Sequence, residues 1–385
     1  MTSEVWRVGV LFSRSGVTAA TEIAMFNGTL LAIEEINAAG GVLGRPLEPL
    51  VRDPQSSPRL YRDMARQLLI DDCRILFGCY MSSTRKAVMP EVEALRGLLF
   101  YPTLYEGFEY SDRCFYTGAA PNQNSLPLAR YMMENFGSRF AFVGSNYVFP
   151  YESNRVMADL VTQAKGRVVD EVYLPLEDKP ADIARAITRI AKAKPDVVFS
   201  TLVGATIPRF YEAFAAAGFD SAKMPIASLT TSEVDLVAMP PSASAGHVAS
   251  ATFFECLKTP SARRFVTAFK QRFGLHAPVT GCAEAAYNQI HVYAQALALA
   301  RTDEPEAIAA HVRGLEFEAP QGRIRIDPDN NHTELWPRVA RVNAAGAFEI
   351  VWDAGARVKP DPYFVAPSLD DWSLPAAPAA GGSQG

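Results

Sequence analysis

The sequence lacks a long apolar run and an excess of either charge. No window approaches the roughly 18 consecutive apolar residues of a membrane-spanning helix, which argues against a direct membrane partner. The net charge of −5 arises from 37 basic and 42 acidic residues. Because the Lys and Arg residues are dispersed along the chain, no basic field is expected, and direct nucleic-acid binding is excluded from the predicted functions.

Catalytic and metal-binding motifs are also missing. The chain contains no HExxH, GxSxG, Walker loop or dinucleotide glycine fingerprint. Its histidines are scattered, and His332, within residues 330–333, is better explained as a turn residue than as a catalytic base. The acid pairs at 34–35 and 370–371 are typical of a solvated surface. We therefore predict a protein without enzymatic activity, cofactor or metal.

Neither a disulfide nor a secretion signal is evident. Cys73 and Cys79 flank one predicted strand, which at ~3.3 Å per residue separates them by about 20 Å, whereas a disulfide requires Cα atoms within about 7 Å. The other three cysteines show no C-x-x-C spacing. Residues 1–7 contain no apolar segment or small-residue cleavage site ahead of the first strand. These features predict a reduced, cytoplasmic protein.

Strand-like and helix-like patterns alternate along most of the chain. Residues 8–12 form a short apolar strand, and the following residues keep helical spacing as far as Gly40 and Gly41. The alternation starts afresh with a helix at 125–136 and a strand at 139–143. For a chain of 385 residues, this pattern predicts an α/β protein with two lobes, each a parallel sheet flanked by helices.

Three segments depart from this alternation. Pro90 lies within the third predicted helix and is expected to bend or restart it. Residues 322–326, 338–342 and 348–352 alternate between polar and apolar side chains, which predicts antiparallel strands. Residues 376–385 are rich in Ala, Pro, Gly and Ser, a composition typical of a disordered tail.

Small hydroxylic and aromatic residues follow several predicted strands. In the first half of the chain they lie at residues 82–84 and 101–103. In the second half they lie at residues 144–147, 201–203 and 230–233. Ligands of such folds bind beyond the carboxyl ends of parallel strands, so these sets predict a ligand in a cleft between the lobes. Two simpler explanations are helix capping by the hydroxyls and core packing by the tyrosines.

These segments carry a family resemblance. Residues 32–46 resemble the first helix and turn of type I periplasmic-binding-protein folds. A tighter match, covering nearly the whole chain, is to the amide-sensing negative regulators of bacterial aliphatic amidase operons. It is carried by residues 78–90, 101–103, 105–110, 120–125, 151–154, 226–233, 319–322, 330–332, 361–363 and 369–372.

The resemblance implies a non-enzymatic, cytoplasmic sensor of a small aliphatic amide. Such a protein sequesters an RNA-binding transcription antiterminator and releases it when the amide binds; whether it forms a homo-oligomer is left open. In the family fold the lobes are discontinuous, joined by three crossovers. By analogy, residues 1–119 join 252–325 as the N-terminal lobe, and 120–251 join 326–370 as the C-terminal lobe, with a disordered tail at 373–385.

The family's amide pocket carries over to positions that already stood out at the strand ends. They are Tyr80, Ser82, Tyr101, Thr103, Tyr147, Val203 and Thr230. Two neighbouring positions depart from the family pattern, because Leu104 stands where the family has proline and Phe149 where it has tyrosine. We therefore expect a ligand that is less polar than the smallest amides, or of a different shape.

A transport receptor is the main alternative to the sensor. The same fold delivers urea, short amides or branched-chain amino acids to a membrane importer. That function calls for an export signal, and an amino-acid receptor also needs an acidic group for the ligand amine. Neither feature is evident in the sequence, which favours the sensor at this point.

Overall fold

The computed structural model describes residues 5–364. The resembling segment 369–372, the end of the predicted C-terminal lobe and the predicted tail therefore lie outside the described residues. The described part contains fifteen strands, numbered in chain order. They are β1 (Trp6–Leu11), β2 (Leu47–Arg52), β3 (Ile75–Gly78), β4 (Leu98–Tyr101), β5 (Cys114–Tyr116), β6 (Arg139–Ser145), β7 (Arg167–Leu174), β8 (Val197–Thr201), β9 (Ile226–Ser228), β10 (Val248–Ala251), β11 (Glu316–Ala319), β12 (Gly322–Ile326), β13 (Thr333–Glu334), β14 (Arg338–Val342) and β15 (Phe348–Asp353).

Twelve helices connect or cover these strands in the described part of the chain. They are α1 (Ala19–Ala38), α2 (Pro58–Ile70), α3 (Ser82–Ala94), α4 (Pro121–Asn135), α5 (Val148–Gln163), α6 (Pro180–Ala193), α7 (Thr206–Ala216), α8 (Glu233–Val237), α9 (Pro241–Ser244), α10 (Pro260–Phe273), α11 (Gly281–Ala300) and α12 (Pro305–Val312). None of them has the length and apolar character needed to cross a bilayer.

The first sheet is entirely parallel, in the order β2-β1-β3-β4-β5. Strands β3 and β4 are buried on both faces, as expected for parallel strands between helical layers. On one face Phe77, Phe100 and Phe115 stack in a row, with centroid separations of 4.9 and 5.1 Å, and Tyr293 of α11 meets the first two edge-on. Helices α2 and α3 cover the opposite face.

The second sheet has seven strands in the order β15-β14-β10-β9-β8-β6-β7. The five strands β6 to β10 are parallel to one another, and β14 and β15 add an antiparallel edge. Helices α4 and α5 pack on one face, and α6 and α7 pack on the other. A third, antiparallel sheet contains only β11, β12 and β13.

The predicted fold class, two helix-flanked parallel sheets in an α/β protein, is confirmed. The chain passes from the first sheet to the second after β5. After β10 it returns to the first lobe, where α11 packs on the first sheet, and it enters the second sheet again at β14. These three passages agree in number with the expected crossovers, while the residue limits assigned to the lobes stay predictions.

The restart expected at Pro90 was wrong, while the alternative of a bend stays a prediction. Helix α3 continues through Pro90, because Pro90 and Lys86 lie on its exposed face, where water can satisfy the carbonyl that loses its N–H partner. The three predicted antiparallel strands are confirmed, although they lie in two sheets: β12 joins the small third sheet, and β14 and β15 extend the second. Hydrophobic alternation identifies strands but does not select their partners.

The two lobes touch where Gly204, after β8, meets Val17, before α1. Gly204 has a φ of +63°, and a Cβ atom there would lie 2.1 Å from the Val17 carbonyl oxygen. Both the backbone conformation and the close approach therefore require glycine in the closed cleft.

We predict that Gly204→Ala opens the cleft. The methyl group cannot fit against Val17, so small-angle X-ray scattering should give a larger radius of gyration. Gly218→Ala is the matched control, because Gly218 has a φ of +79° with nothing within 4 Å of an added Cβ. The free energy of unfolding should fall by about 1–2 kcal/mol in both variants, because alanine is strained at a left-handed φ. An equal radius of gyration in both variants would show that this contact does not control closure.

Candidate functional site

The turn between β3 and α3 brings the first candidate residues into the cleft. Gly78 has a φ of +145°, and an added Cβ would lie 2.1 Å from the Leu11 carbonyl oxygen of the neighbouring strand. Cys79 has a left-handed backbone conformation with a φ of +67°, and its N–H donates a hydrogen bond to the same carbonyl at 3.0 Å. This tight turn leads directly into Tyr80 and the first turn of α3.

The capping explanation for Ser82 does not hold. The N-cap position of α3 is Met81, which makes no side-chain capping bond, and Ser82 is the first helical residue. The Ser82 hydroxyl donates instead to the carboxylate of Glu106 in a short hydrogen bond. The Ser82 and Ser83 N–H groups have no partner within residues 5–364, so they remain available as donors.

Eight of the nine predicted residues surround one small cavity between the lobes, which we call the head cavity. It offers about 10 Å³ to the centre of a water-sized sphere within about 210 Å³ of atom-free space. By the first measure the head cavity is about as large as a single water molecule requires, which limits any ligand held there to very few atoms. It is lined by Tyr80, Ser82, Thr103, Leu104, Tyr147, Phe149, Val203 and Thr230.

Tyr101 is the predicted residue that does not line the head cavity. It is fully buried beneath it, and its hydroxyl donates to the Tyr80 carbonyl at 2.7 Å. The Arg85 guanidinium lies over its ring, 4.7 Å from the centroid. Tyr101 therefore supports the backbone of Tyr80 from below.

Two hydroxyl groups of the head cavity already donate hydrogen bonds to other groups of the protein. Ser82 donates to Glu106 and accepts from Arg85 at 3.3 Å, which leaves one lone pair on its oxygen. Thr230 donates to the Leu202 carbonyl at 2.6 Å. Both oxygens can therefore act only as acceptors, and they are matched to ligand N–H groups.

Donors are supplied by the tyrosines. The hydroxyls of Tyr80 and Tyr147 have no hydrogen-bond partner among the described residues. The Thr103 hydroxyl has only a long contact of 3.5 Å to the Cys79 carbonyl. A ligand carbonyl oxygen thus meets donors, while the Leu104, Phe149 and Val203 side chains provide an apolar wall.

A buried charge network lies behind Ser82, and the sequence analysis missed it. Arg85 is fully buried, 2.7 Å from Glu109 and 3.3 Å from Glu106, and Lys86 approaches Glu109 at 2.9 Å. Two cations and two carboxylates balance, so the network offers no net charge to a ligand. All four residues fall within resembling segments, but nothing in the linear pattern indicates their pairing.

His332 belongs to the same cluster. It follows a turn, as predicted, but it is fully buried, stacks on Tyr116 at 4.2 Å and bonds to the Tyr105 hydroxyl at 2.6 Å. Burial lowers the pKa of His332 to about 4, so its imidazole is neutral near pH 7. It acts as a packed aromatic group. No cluster within residues 5–364 has three or more His, Cys, Asp or Glu side chains arranged to hold a metal.

Comparison with known proteins shows the family to which the chain belongs. The model of the periplasmic binding protein domain matches residues 6–368, and the chain belongs to that family. It is 24% identical to the Leu/Ile/Val-binding protein homolog 6 of Brucella melitensis over 74% of this chain and 75% of that protein. It is also 24% identical to the leucine-, isoleucine-, valine-, threonine- and alanine-binding protein of Pseudomonas aeruginosa, over 78% of this chain and 80% of that protein.

A solved structure shows the same architecture. The solute-binding protein of an ABC transporter from Rhodopseudomonas palustris BisB5, in complex with 3,4-dihydroxybenzoic acid, superposes with a TM-score of 0.82. The two chains are 21% identical, and the match covers 90% of this chain and 95% of the other. These relatives are ligand-binding proteins, which agrees with the absence of catalytic motifs from the sequence.

The charge network predicts a defined acid sensitivity. Burial by itself would raise the pKa of Glu109, but Arg85 and Lys86 lower it from 4.5 to about 2. A carboxyl with a depressed folded-state pKa stabilises the protein above its unfolded-state pKa, and that stability disappears as pH falls. The loss should therefore occur between about pH 4.5 and pH 2.

Glu109→Gln should flatten this part of the curve of unfolding free energy against pH, measured by urea denaturation. Glu48→Gln is the control, because it removes one carboxylate from a solvent-exposed pair with Arg7, of a kind worth about 0–1 kcal/mol. An unchanged slope in Glu109→Gln would contradict the assignment.

Proposed function

We propose that the chain binds a small, uncharged molecule with an amide group, such as a short aliphatic amide or urea. The hydrogen-bond polarity of the head cavity carries this proposal. Ser82 and Thr230 present acceptors, whereas Tyr80 and Tyr147 present donors. A primary amide has two N–H donors and one carbonyl acceptor in a compact plane, so it satisfies both sets.

Charged ligands fit the head cavity poorly. None of its eight lining residues carries a charge. One oxygen of a carboxylate could meet the tyrosine donors, but the other would face the lone pairs of Ser82 and Thr230 where an amide presents its N–H groups, and an α-amino acid would add an ammonium group without a partner. Burying an unpaired charge is strongly unfavourable. We therefore expect amides to be selected over the corresponding acids and over amino acids, even though two relatives are named for amino-acid binding.

The family and its named relatives favour a transport role. In the first candidate function, ligand closes the lobes and the chain presents an amide or urea to a membrane importer. Closure would act through population shift, because the ligand contacts both lobes only in the closed form. Residues such as Ser82 and Thr230 lie on opposite lobes, as this mechanism requires.

A second candidate, the cytoplasmic regulator of an amidase operon, is favoured by one specific observation. Three separate resembling segments meet in the cluster behind Ser82, through Arg85, Glu106, Glu109, Tyr105 and His332. The same amide would then change the affinity for an RNA-binding antiterminator by linkage between two sites. Ligand identity is common to both candidates.

Gene disruption separates the two candidates. A receptor is required for uptake of labelled acetamide, and its loss should leave amidase expression unchanged. A negative regulator behaves in the opposite way, since its loss should make amidase expression constitutive without lowering uptake. A result with neither phenotype would count against both roles.

Thermal stability in the presence of ligands tests the binding proposal. Acetamide, propionamide and urea should raise the unfolding midpoint, since ligand at 100 times its Kd adds about 2.7 kcal/mol. Acetate and leucine should not. Ser82→Ala should weaken acetamide binding about tenfold, for the loss of one buried hydrogen bond of about 1–1.5 kcal/mol. Ser83→Ala, one residue away and outside the cavity, is the control. Stabilisation by leucine alone would refute the proposal.

Phe149→Tyr tests how the apolar wall of the head cavity determines which amide is preferred. The phenol would add a donor beside Tyr147, whose ring centroid lies 6.2 Å from that of Phe149. We expect acetamide to gain affinity relative to butyramide, because a polar wall favours the shorter alkyl group. Isothermal titration of both amides measures the ratio. If the variant bound every amide as wild type does, Phe149 would not tune the ligand.

A further inference from the structure

A second cavity lies beside the head cavity, between the strand ends and two of the interlobe passages. We call it the hinge cavity. It offers about 50 Å³ to the centre of a water-sized sphere, compared with about 10 Å³ in the head cavity. Tyr80, Leu104 and Thr230 line both cavities, so the two spaces adjoin. A ligand held in the head cavity can extend only a few atoms before it reaches the hinge cavity.

The hinge cavity contains an unsatisfied amide. Asn124, in the first turn of α4, is 2% exposed. Its Oδ1 accepts from the Ser125 N–H at 2.5 Å, but its buried Nδ2 has no partner among the described residues. Buried polar groups are nearly always paired, and one left without a partner costs about 1–3 kcal/mol. The Asn124 amide is therefore a donor that lacks an acceptor.

Hydroxyl donors accompany Asn124. Thr252, on the passage after β10, and Thr21, in the first turn of α1, are both largely buried. Neither hydroxyl has a hydrogen-bond partner within residues 5–364. The Thr280 oxygen accepts from the Ala283 N–H at 3.1 Å, so its proton is also available. The hinge cavity thus has several unpaired donors, and it shares the acceptor oxygen of Thr230 with the head cavity.

No charged side chain lines the hinge cavity, which excludes an ion as its natural occupant. The remaining lining is partly polar, with Thr231, Ser232 and Ser250, and partly apolar, with residues such as Pro102 and Ala285. This combination suits a short carbon chain that ends in an uncharged oxygen. Such an oxygen would accept a hydrogen bond from the Thr252 hydroxyl, and the Asn124 amide in the same wall is a further unpaired donor.

We propose that the hinge cavity is a second ligand subsite that takes the oxygen-bearing tail of an amide whose head occupies the head cavity. The ligand class is an uncharged amide with a hydroxyl or carbonyl oxygen a few bonds from the amide group. This inference rests on the proposed function, since it assumes that the amide group binds between Ser82 and Thr230. It adds Asn124 and Thr252 as specificity-determining residues.

Isothermal titration with acetamide, butyramide and 4-hydroxybutyramide tests the subsite. Wild type should bind 4-hydroxybutyramide about tenfold more tightly than butyramide, corresponding to one well-made buried hydrogen bond. Thr252→Val replaces the hydroxyl with a methyl group of similar size and should reduce this preference to about twofold or less. Acetamide is too short to reach the hinge cavity, so its affinity should stay within about twofold of wild type.

Asn124→Leu is the second variant and should have the same effect. Because Asn124 also accepts from Ser125 at the start of α4, its unfolding midpoint is measured alongside. If wild type shows no preference for the hydroxylated amide, or if Thr252→Val retains the preference, the hinge cavity holds water only and the inference is overturned. If acetamide itself fails to bind, the proposed function fails as well, so the two failures are distinguishable.

Discussion

The buried guanidinium of Arg85 is the constraint around which the candidate site is organised. A cation that is fully removed from water must be paired, and Glu106 and Glu109 provide the pairing from the segment after β4. This requirement holds that segment against α3 and leaves Glu106 in reach of the Ser82 hydroxyl. The direction of one hydroxyl proton thus follows from a salt bridge that no ligand touches.

This arrangement explains how a neutral site can lie next to four charged groups. Arg85, Lys86, Glu106 and Glu109 neutralise one another behind the cavity wall, so only dipoles face the ligand. In a small cavity with little water, the direction of each dipole determines which ligand atom is accepted. Under the proposed function, selection between an amide and an acid of the same shape would depend on proton positions and would require no charged recognition group.

The sequence could predict where the site lies better than how it works. The rule that ligands bind beyond parallel strand ends placed six of the eight cavity residues, because strand direction is fixed by the βα alternation, and Leu104 and Phe149 entered through the family comparison. Tyr101 belongs to the same strand end, but its side chain points beneath the cavity. Pairing between Arg85 and Glu106, the role of Asn124 and the partners of β12 depend on long-range contacts that no local pattern encodes. The amide entered through the family resemblance, and it stays a proposal that the hydrogen-bond polarity of the head cavity supports.

The two adjoining cavities suggest why the cleft differs from a simple amide site. The head cavity has acceptors at Ser82 and Thr230. The hinge cavity has unsatisfied donors at Asn124 and Thr252, and Leu104 lines both cavities. A proline at that position, as in the resembling family, would narrow the choice of backbone and side-chain positions there, whereas leucine can change rotamer. Because a ligand that spans both cavities contacts both lobes and the passages between them, its binding energy would act directly on the hinge. Closure and selection would then depend on the same few hydrogen bonds.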